Sequence, residues 1–278
     1  MGKTSFACGV EYPSVVASPS IVVLDYERGT SELDVARVRG AETWDESLSL
    51  VSEACIGSGE HREVVVDTID RLEAQAAVAV IRAGKKGEKS LGDFGYGDGY
   101  EAMAQKFREL LAKLEQARDH GRSVWVVAHS QRVEINDPTM GKYGKYVPML
   151  HKKCWAPLHQ SADNILFANY DYGVVKDLLQ VLETRSLYTM AGSGYEAKNR
   201  WGLPRQLPLS VRALHEARIA GQRTADEVRA SIRSIAASDA DLLAKAEERV
   251  KDRGDDVRAL IAIERGVQAK LKEMKGTA

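Results

Sequence analysis

No apolar run in the sequence approaches the ~20 residues that a helix needs to cross a bilayer. Residues 1–20 lack a basic start followed by a long apolar stretch, so no secretory leader is read there. Cysteine is scarce: Cys8, Cys55 and Cys154 are isolated, odd in number and without metal-ligand spacing. That excludes a disulfide framework and a cysteine zinc site, and it suits reduced thiols in a cytoplasmic protein. There is no excess of either charge. The net charge is −1, so any basic surface for nucleic acid has to be local. The length of 278 residues allows one large domain, or a domain with an extension.

What is present begins at Gly2, Lys3, Thr4 and Ser5. Gly-Lys-Thr is the tail of a phosphate-binding loop of form G-x-x-x-x-G-K-[ST]. In such a loop the glycine admits a phosphate, the lysine reaches the β/γ-phosphates and the threonine hydroxyl binds Mg²⁺. The tripeptide alone recurs by chance, so its meaning rests on the strands and polar residues downstream. A short helix is expected over 4–12, then a turn-rich stretch over 13–19.

Ile21, Val22, Val23 and Leu24 form a continuous β-rich run, as a parallel strand buried on both faces requires. Asp25, Tyr26, Glu27, Arg28 and Gly29 come directly after it. They either close the strand as a polar turn or sit where α/β sheets bind ligands. An amphipathic helix is expected over 44–54. Val64, Val65 and Val66 then run into Asp67, a Walker-B-type strand whose aspartate would hold Mg²⁺; an ordinary strand with an exposed end fits too. Helices are expected over 71–82 and 100–120, the second with Met103, Phe107, Leu110, Leu111 and Leu114 at helical spacing. Between them, 83–99 reads as a surface loop or a phosphate-backbone contact. Ser123 to Ala128 is another buried strand, and His129 and Ser130 lie at its end.

Residues 132–153 read as a long loop carrying Arg132, Lys142, Lys145, Lys152 and Lys153 interleaved with Tyr143 and Tyr146. It is either a single-strand-binding loop, with cations for phosphates and rings for bases, or a solvated loop that orders on oligomerisation. Helix over 155–160 and strands over 164–168, 170–175 and 181–190 are expected next. Lys198 and Arg200 flank Asn199 in a loop that is a surface turn or an arginine finger reaching a neighbouring subunit. From Ser210 the composition turns to Ala, Arg, Glu, Lys and Leu, giving two or three helices with starts at Thr224 and Ser238 to Asp241.

Taken jointly, these motifs resemble the RecA-like core of P-loop ATPases, in particular the phage nucleotide-binding AAA-type family that includes single-strand-annealing recombinases. The residues that carry it are Gly2-Lys3-Thr4-Ser5, Leu24 to Gly29, Val66-Asp67-Thr68, Gly95 to Tyr100, Ala128-His129-Ser130, Leu150 to Lys153 and Ala197 to Pro204. The resemblance implies an α/β fold with a mainly parallel twisted sheet flanked by helices over 1–209. A helical C-terminal extension occupies 210–278.

It also implies roles. Gly2, Lys3, Thr4 and Ser5 bind ATP; Thr4 and Asp67 hold Mg²⁺. Glu27 orients the hydrolytic water, and His129 and Ser130 stand at the γ-phosphate sensor. Lys198 and Arg200 act across a subunit interface. The segment with Arg132, Lys142, Tyr143, Lys145, Lys152 and Lys153 matches in position the DNA-binding loop. The implied setting is phage or prophage recombination or annealing in a bacterial host cytoplasm. Expected partners are single-stranded DNA, further copies in a ring or filament, and a single-strand-binding protein or helicase; no membrane is involved. The alternative is a weakly catalytic or non-catalytic loader or scaffold for replication proteins. The family's first strand and most of its phosphate loop precede Gly2, and a start site placed downstream in the gene is the expected reason.

Overall fold

The computed structural model describes residues 2–11, 14, 16–175, 178–254 and 257–276. They form two compact units, 1–199 with 205–211, and 200–204 with 212–278.

The first unit is built on a four-stranded sheet. Helix α1 spans Lys3–Ala7, β1 Ile21–Asp25, β2 Ala36–Arg39, α2 Trp44–Ile56 and β3 Glu63–Asp67. Then come α3 Ile69–Ala83, a 3₁₀ turn Leu91–Phe94, α4 Asp98–Asp119 and β4 Ser123–Val127. The strand order is β2-β1-β3-β4, and every pairing is parallel.

Alternation along the strands divides their side chains between two cores. Val22, Leu24, Val64 and Val66 face α2, α3 and α4, where Val51, Leu72, Phe107 and Leu110 are fully buried. Ile21, Val23, Val65 and Val127 face the other way, onto Ala7, Cys8, Val10 and Leu33. Both faces are covered, which is why the strands read as unbroken apolar runs. The two helices expected over 44–54 and 100–120 occur at nearly those limits. The expected helix over 4–12 is shorter, Lys3–Ala7, and residues 12 and 13 lie outside the described ones.

The long segment expected as a loop over 132–153 is instead a β-hairpin, β5 Ser130–Asp137 and β6 Gly141–Pro148, leading into α5 Lys152–Ser161. Val133 and Ile135 pair across to Lys145 and Tyr143, a half-apolar face that the interleaved cations hide in the sequence. The turn is fixed by Asp137, whose carboxylate accepts from the N–H groups of Thr139 (2.8 Å) and Met140 (2.9 Å). Gly141 completes it at φ +76°, a backbone that glycine adopts freely.

The strands expected over 164–168 and 170–175 also differ. They divide into a two-residue β7, Asn164–Ile165, and a single long β8, Phe167–Val175, with an irregularity at Tyr170/Tyr172. β9, Leu178–Tyr188, lies antiparallel to β8. Short β10, Lys198–Asn199, pairs with β7, and β11, Gln206–Pro208, with β9.

In the C-terminal region four helices are described where two or three are expected: α6 Val211–Gln222, α7 Ala225–Ala236, α8 Ala240–Lys251 and α9 Val257–Gly276. Thr224 and Glu227 form a reciprocal capping box at the start of α7, and Asp239 caps α8. Val228, Ile232, Ala236, Ala246 and Leu260 make a separate apolar core there. Among the described residues, no helix is long and apolar enough to cross a membrane.

Phe107 is the largest fully buried side chain of the sheet–helix core. Phe107→Ala is expected to cost about 3–5 kcal/mol through lost burial and the cavity left behind. Denaturant titration of the first unit's signal checks this; a loss under about 1 kcal/mol would contradict the packing described.

Candidate active site

Parallel register sets Asp25 level with Asp67, and Asp67 level with Val127. The ends of β1, β3 and β4 therefore converge on one edge of the sheet, and the residues just beyond them meet there.

Asp67 is the most enclosed carboxylate at this edge, 1% exposed. The Thr4 hydroxyl, one residue into α1, donates to its Oδ2 at 2.7 Å. Its Oδ1 is buried and has no hydrogen-bond partner among the described residues. Burial pushes the Asp67 pKa up from its ordinary value; the Thr4 hydrogen bond opposes this, Glu27 and Asp25 add to it, and the Lys3 charge works against it. Gly2 enters α1 at φ +84°.

Asp25 shows the contrast. Its carboxylate accepts from the Thr30 hydroxyl (2.6 Å) and from the N–H groups of Thr30 and Gly29 (3.2 Å each). Burial raises its pKa, yet these hydrogen bonds outweigh it and hold the group below its ordinary value. Asp25 folds the loop after β1 and has no oxygen to spare.

That loop delivers Glu27. Thr68 Oγ1 donates to Glu27 Oε1 (3.3 Å), Arg71 Nε lies 3.7 Å from the same oxygen, and His129 Nδ1 lies 3.3 Å from it. His129 is fixed in turn by Asp70, in the first turn of α3. Asp70 Oδ1 accepts the His129 main-chain N–H (3.0 Å) and Oδ2 faces the ring Nδ1 (3.0 Å). Burial raises the Asp70 pKa, but the His129 contacts more than offset it and the group sits below its ordinary value. Sequence reading gives Asp70, Thr68 and Arg71 no role. Their signal is the polar cluster Thr68, Asp70 and Arg71 directly after Asp67.

The remaining candidates lie elsewhere. Ser130 is exposed at the start of β5, paired with Pro148. Ser5 lies within α1. The Lys198 ammonium donates to the carbonyls of His159 (2.6 Å) and Gln160 (3.1 Å), the last turn of α5, where a cation complements the helix dipole. Arg200 belongs to the second compact unit.

The hairpin divides the candidate nucleic-acid residues between two faces. Arg132 and Lys142 share one with Tyr146, and Tyr143 and Lys145 share the other with Val133 and Ile135. Three of the cations meet glutamates: Lys142 with Glu134 (3.2 Å), Lys145 with Glu196 (2.6 Å) and Lys153 with Glu101 (2.7 Å). Lys152 is exposed at the start of α5.

The donors fit a hard cation. A hydroxyl and a buried carboxylate with one oxygen unpartnered are oxygen ligands of the kind Mg²⁺ takes.

Because burial raises the Asp67 pKa, ionised Asp67 destabilises the fold. Its contribution to stability is present below the ordinary value of 3.8 and is lost as pH rises through the elevated native value. Asp67→Asn should therefore stabilise the metal-free protein at pH 7 by on the order of 1 kcal/mol. The gain should vanish near pH 3, and thermal melts at the two pH values check it. A destabilised variant at pH 7 would contradict the assignment.

The curated proteins give no match, and neither do the solved structures. A protein-family model described as "AAA domain" matches residues 1–201, which takes in α1, the parallel sheet and every residue of the Asp67 and Glu27 clusters. With most of its length so matched, the chain belongs to this AAA family of nucleotide-binding, ATPase-type domains.

Proposed function

We propose that the chain binds ATP with Mg²⁺ at the Thr4–Asp67 edge of the sheet and hydrolyses it. The observation that carries this reading is the buried Asp67, hydrogen-bonded by Thr4 through one oxygen and, among the described residues, unpartnered at the other. Charge neutralisation at the β/γ-phosphates is what Mg²⁺ supplies there when bound. Thr4 Oγ1 and Asp67 would hold it. Lys3 places its ammonium beside the same phosphates, and its charge already acts on Asp67. Glu27 aligns the attacking water and accepts its proton at a carboxylate oxygen. His129, clamped by Asp70, keeps Glu27 at the edge of the sheet.

The finer reading extends this site to DNA recombination or single-strand annealing. Motif order supports it, together with the cation-bearing hairpin of β5 and β6. In that reading copies assemble as a ring or filament, Lys198 and Arg200 meet a neighbour's phosphates, and single-stranded DNA follows the hairpin. A second reading, a nucleotide-dependent loader for a helicase or single-strand-binding protein, is supported by the C-terminal helices having their own apolar core.

Steady-state phosphate release tests the mechanism. Lys3→Ala and Glu27→Gln are each expected to lower turnover by at least ~10²-fold, and single-stranded DNA should raise the wild-type rate. Unchanged turnover in both variants would overturn the assignment. Absence of DNA binding, with capture of a helicase by the helical region, would favour the loader. Saturating Mg²⁺–ADP should also raise the wild-type melting temperature, by the equivalent of about 2.7 kcal/mol at a hundredfold excess over Kd. Asp67→Asn should lose that rise while remaining folded.

A further inference from the structure

We propose that Glu27, Asp70 and His129 form a binding site for a transition-series divalent cation such as Zn²⁺ or Co²⁺, distinct from the oxygen-only Thr4–Asp67 pair. One donor atom from each residue lies within 4.8 Å of the other two. His129 Nδ1 is 3.0 Å from Asp70 Oδ2 and 3.3 Å from Glu27 Oε1. Ligand atoms around a tetrahedral zinc ion, at bonds of ~2.0–2.2 Å, stand about 3.3–3.6 Å apart. The His129–Glu27 separation matches that spacing, the His129–Asp70 separation is a few tenths of an ångström shorter, and Glu27 and Asp70 bring oxygens within 4.8 Å of each other.

The chemistry of the ring explains why they converge. A single nitrogen carries at most one proton, yet two carboxylate oxygens face Nδ1. A proton on Nδ1 serves Asp70 Oδ2, while Glu27 Oε1 takes its hydrogen bond from Thr68. A dication in its place binds the nitrogen lone pair and neutralises both carboxylates. An imidazole donor also sets the preference: nitrogen suits Zn²⁺, Co²⁺ and Ni²⁺, whereas Mg²⁺ and Ca²⁺ take oxygen.

The surroundings support such a site. Asp70 is the anchored ligand, its side chain only 7% exposed, and its second oxygen is held by the His129 main-chain N–H. The His129 and Glu27 side chains are 41% and 23% exposed, so solvent reaches the centre and supplies a fourth ligand. Arg71 lies beside Glu27 Oε1; its side chain is 62% exposed and can turn into water. Asp67 adds negative potential nearby, since its charge and that of Glu27 act on each other. On the proposed function, an ion bound here takes Glu27 and His129 together, so it excludes their role in hydrolysis.

The test is metal binding to the full chain, stripped with chelator and free of nucleotide, so that its outcome stands apart from any ATPase result. Zn²⁺ titration by calorimetry is expected to show a site in the wild type that Asp70→Asn and His129→Gln each weaken at least ~10-fold. Millimolar Mg²⁺ should not displace it. Equal Zn²⁺ binding by all three proteins overturns the proposal, as does a wild type that binds none. The wild type alone gives a second reading that no folding defect can blur. Zn²⁺ should protect His129 from carbethoxylation, read by peptide mass spectrometry, and unchanged labelling of His129 overturns the site.

Discussion

Two carboxylates brought to one height by in-register parallel pairing are the constraint on which the rest of the structure turns. Asp25 and Asp67 end neighbouring strands, and both are buried. Ionised groups in such a place need compensation, or they raise their pKa. The loop after β1 compensates Asp25 completely, by curling back so that Thr30 and Gly29 donate to it. Among the described residues, Asp67 receives only Thr4. The same geometry that settles the first carboxylate leaves the second with an oxygen to offer, and it turns Glu27 toward His129 on the way. Local stability has been withheld at the position where a ligand can supply it.

The parallel sheet was legible because burial on both faces leaves a mark that needs no neighbour to interpret. Val64 to Val66 must be apolar whatever packs on them. The β5–β6 hairpin left no such mark. Its strands are largely exposed, its charges alternate with its apolar residues, and their meaning depends on which strand lies opposite. The sequence pattern divides β8 for a related reason: Asn169, a polar residue with little strand propensity, interrupts it, while the ladder runs on through Asn169 paired to Ser186.

The site divides in the same way. Thr4 follows the Gly-Lys pair, Asp67 ends β3, and Glu27 and His129 lie two residues past the ends of β1 and β4, positions that sequence reading can locate. Asp70 sits within α3, and its importance emerges only once β4 is known to lie beside β3, because that adjacency brings His129 to it. The hairpin cations were readable as cations. Lys142 meets Glu134 within the hairpin, but Glu196, the partner of Lys145, is far away in sequence, so that pairing was not.

The sheet ends at β2, whose four residues Ala36, Arg37, Val38 and Arg39 are all exposed. An open strand edge is a template for another chain, and fibril growth begins at such edges. Here a second copy docking edge to edge would set arginines against arginines across a strand spacing of ~4.8 Å. Arg37 moreover already reaches back to the Leu33 carbonyl, bracing the edge against its own preceding loop. Charge on this short strand disfavours edge-to-edge sheet extension.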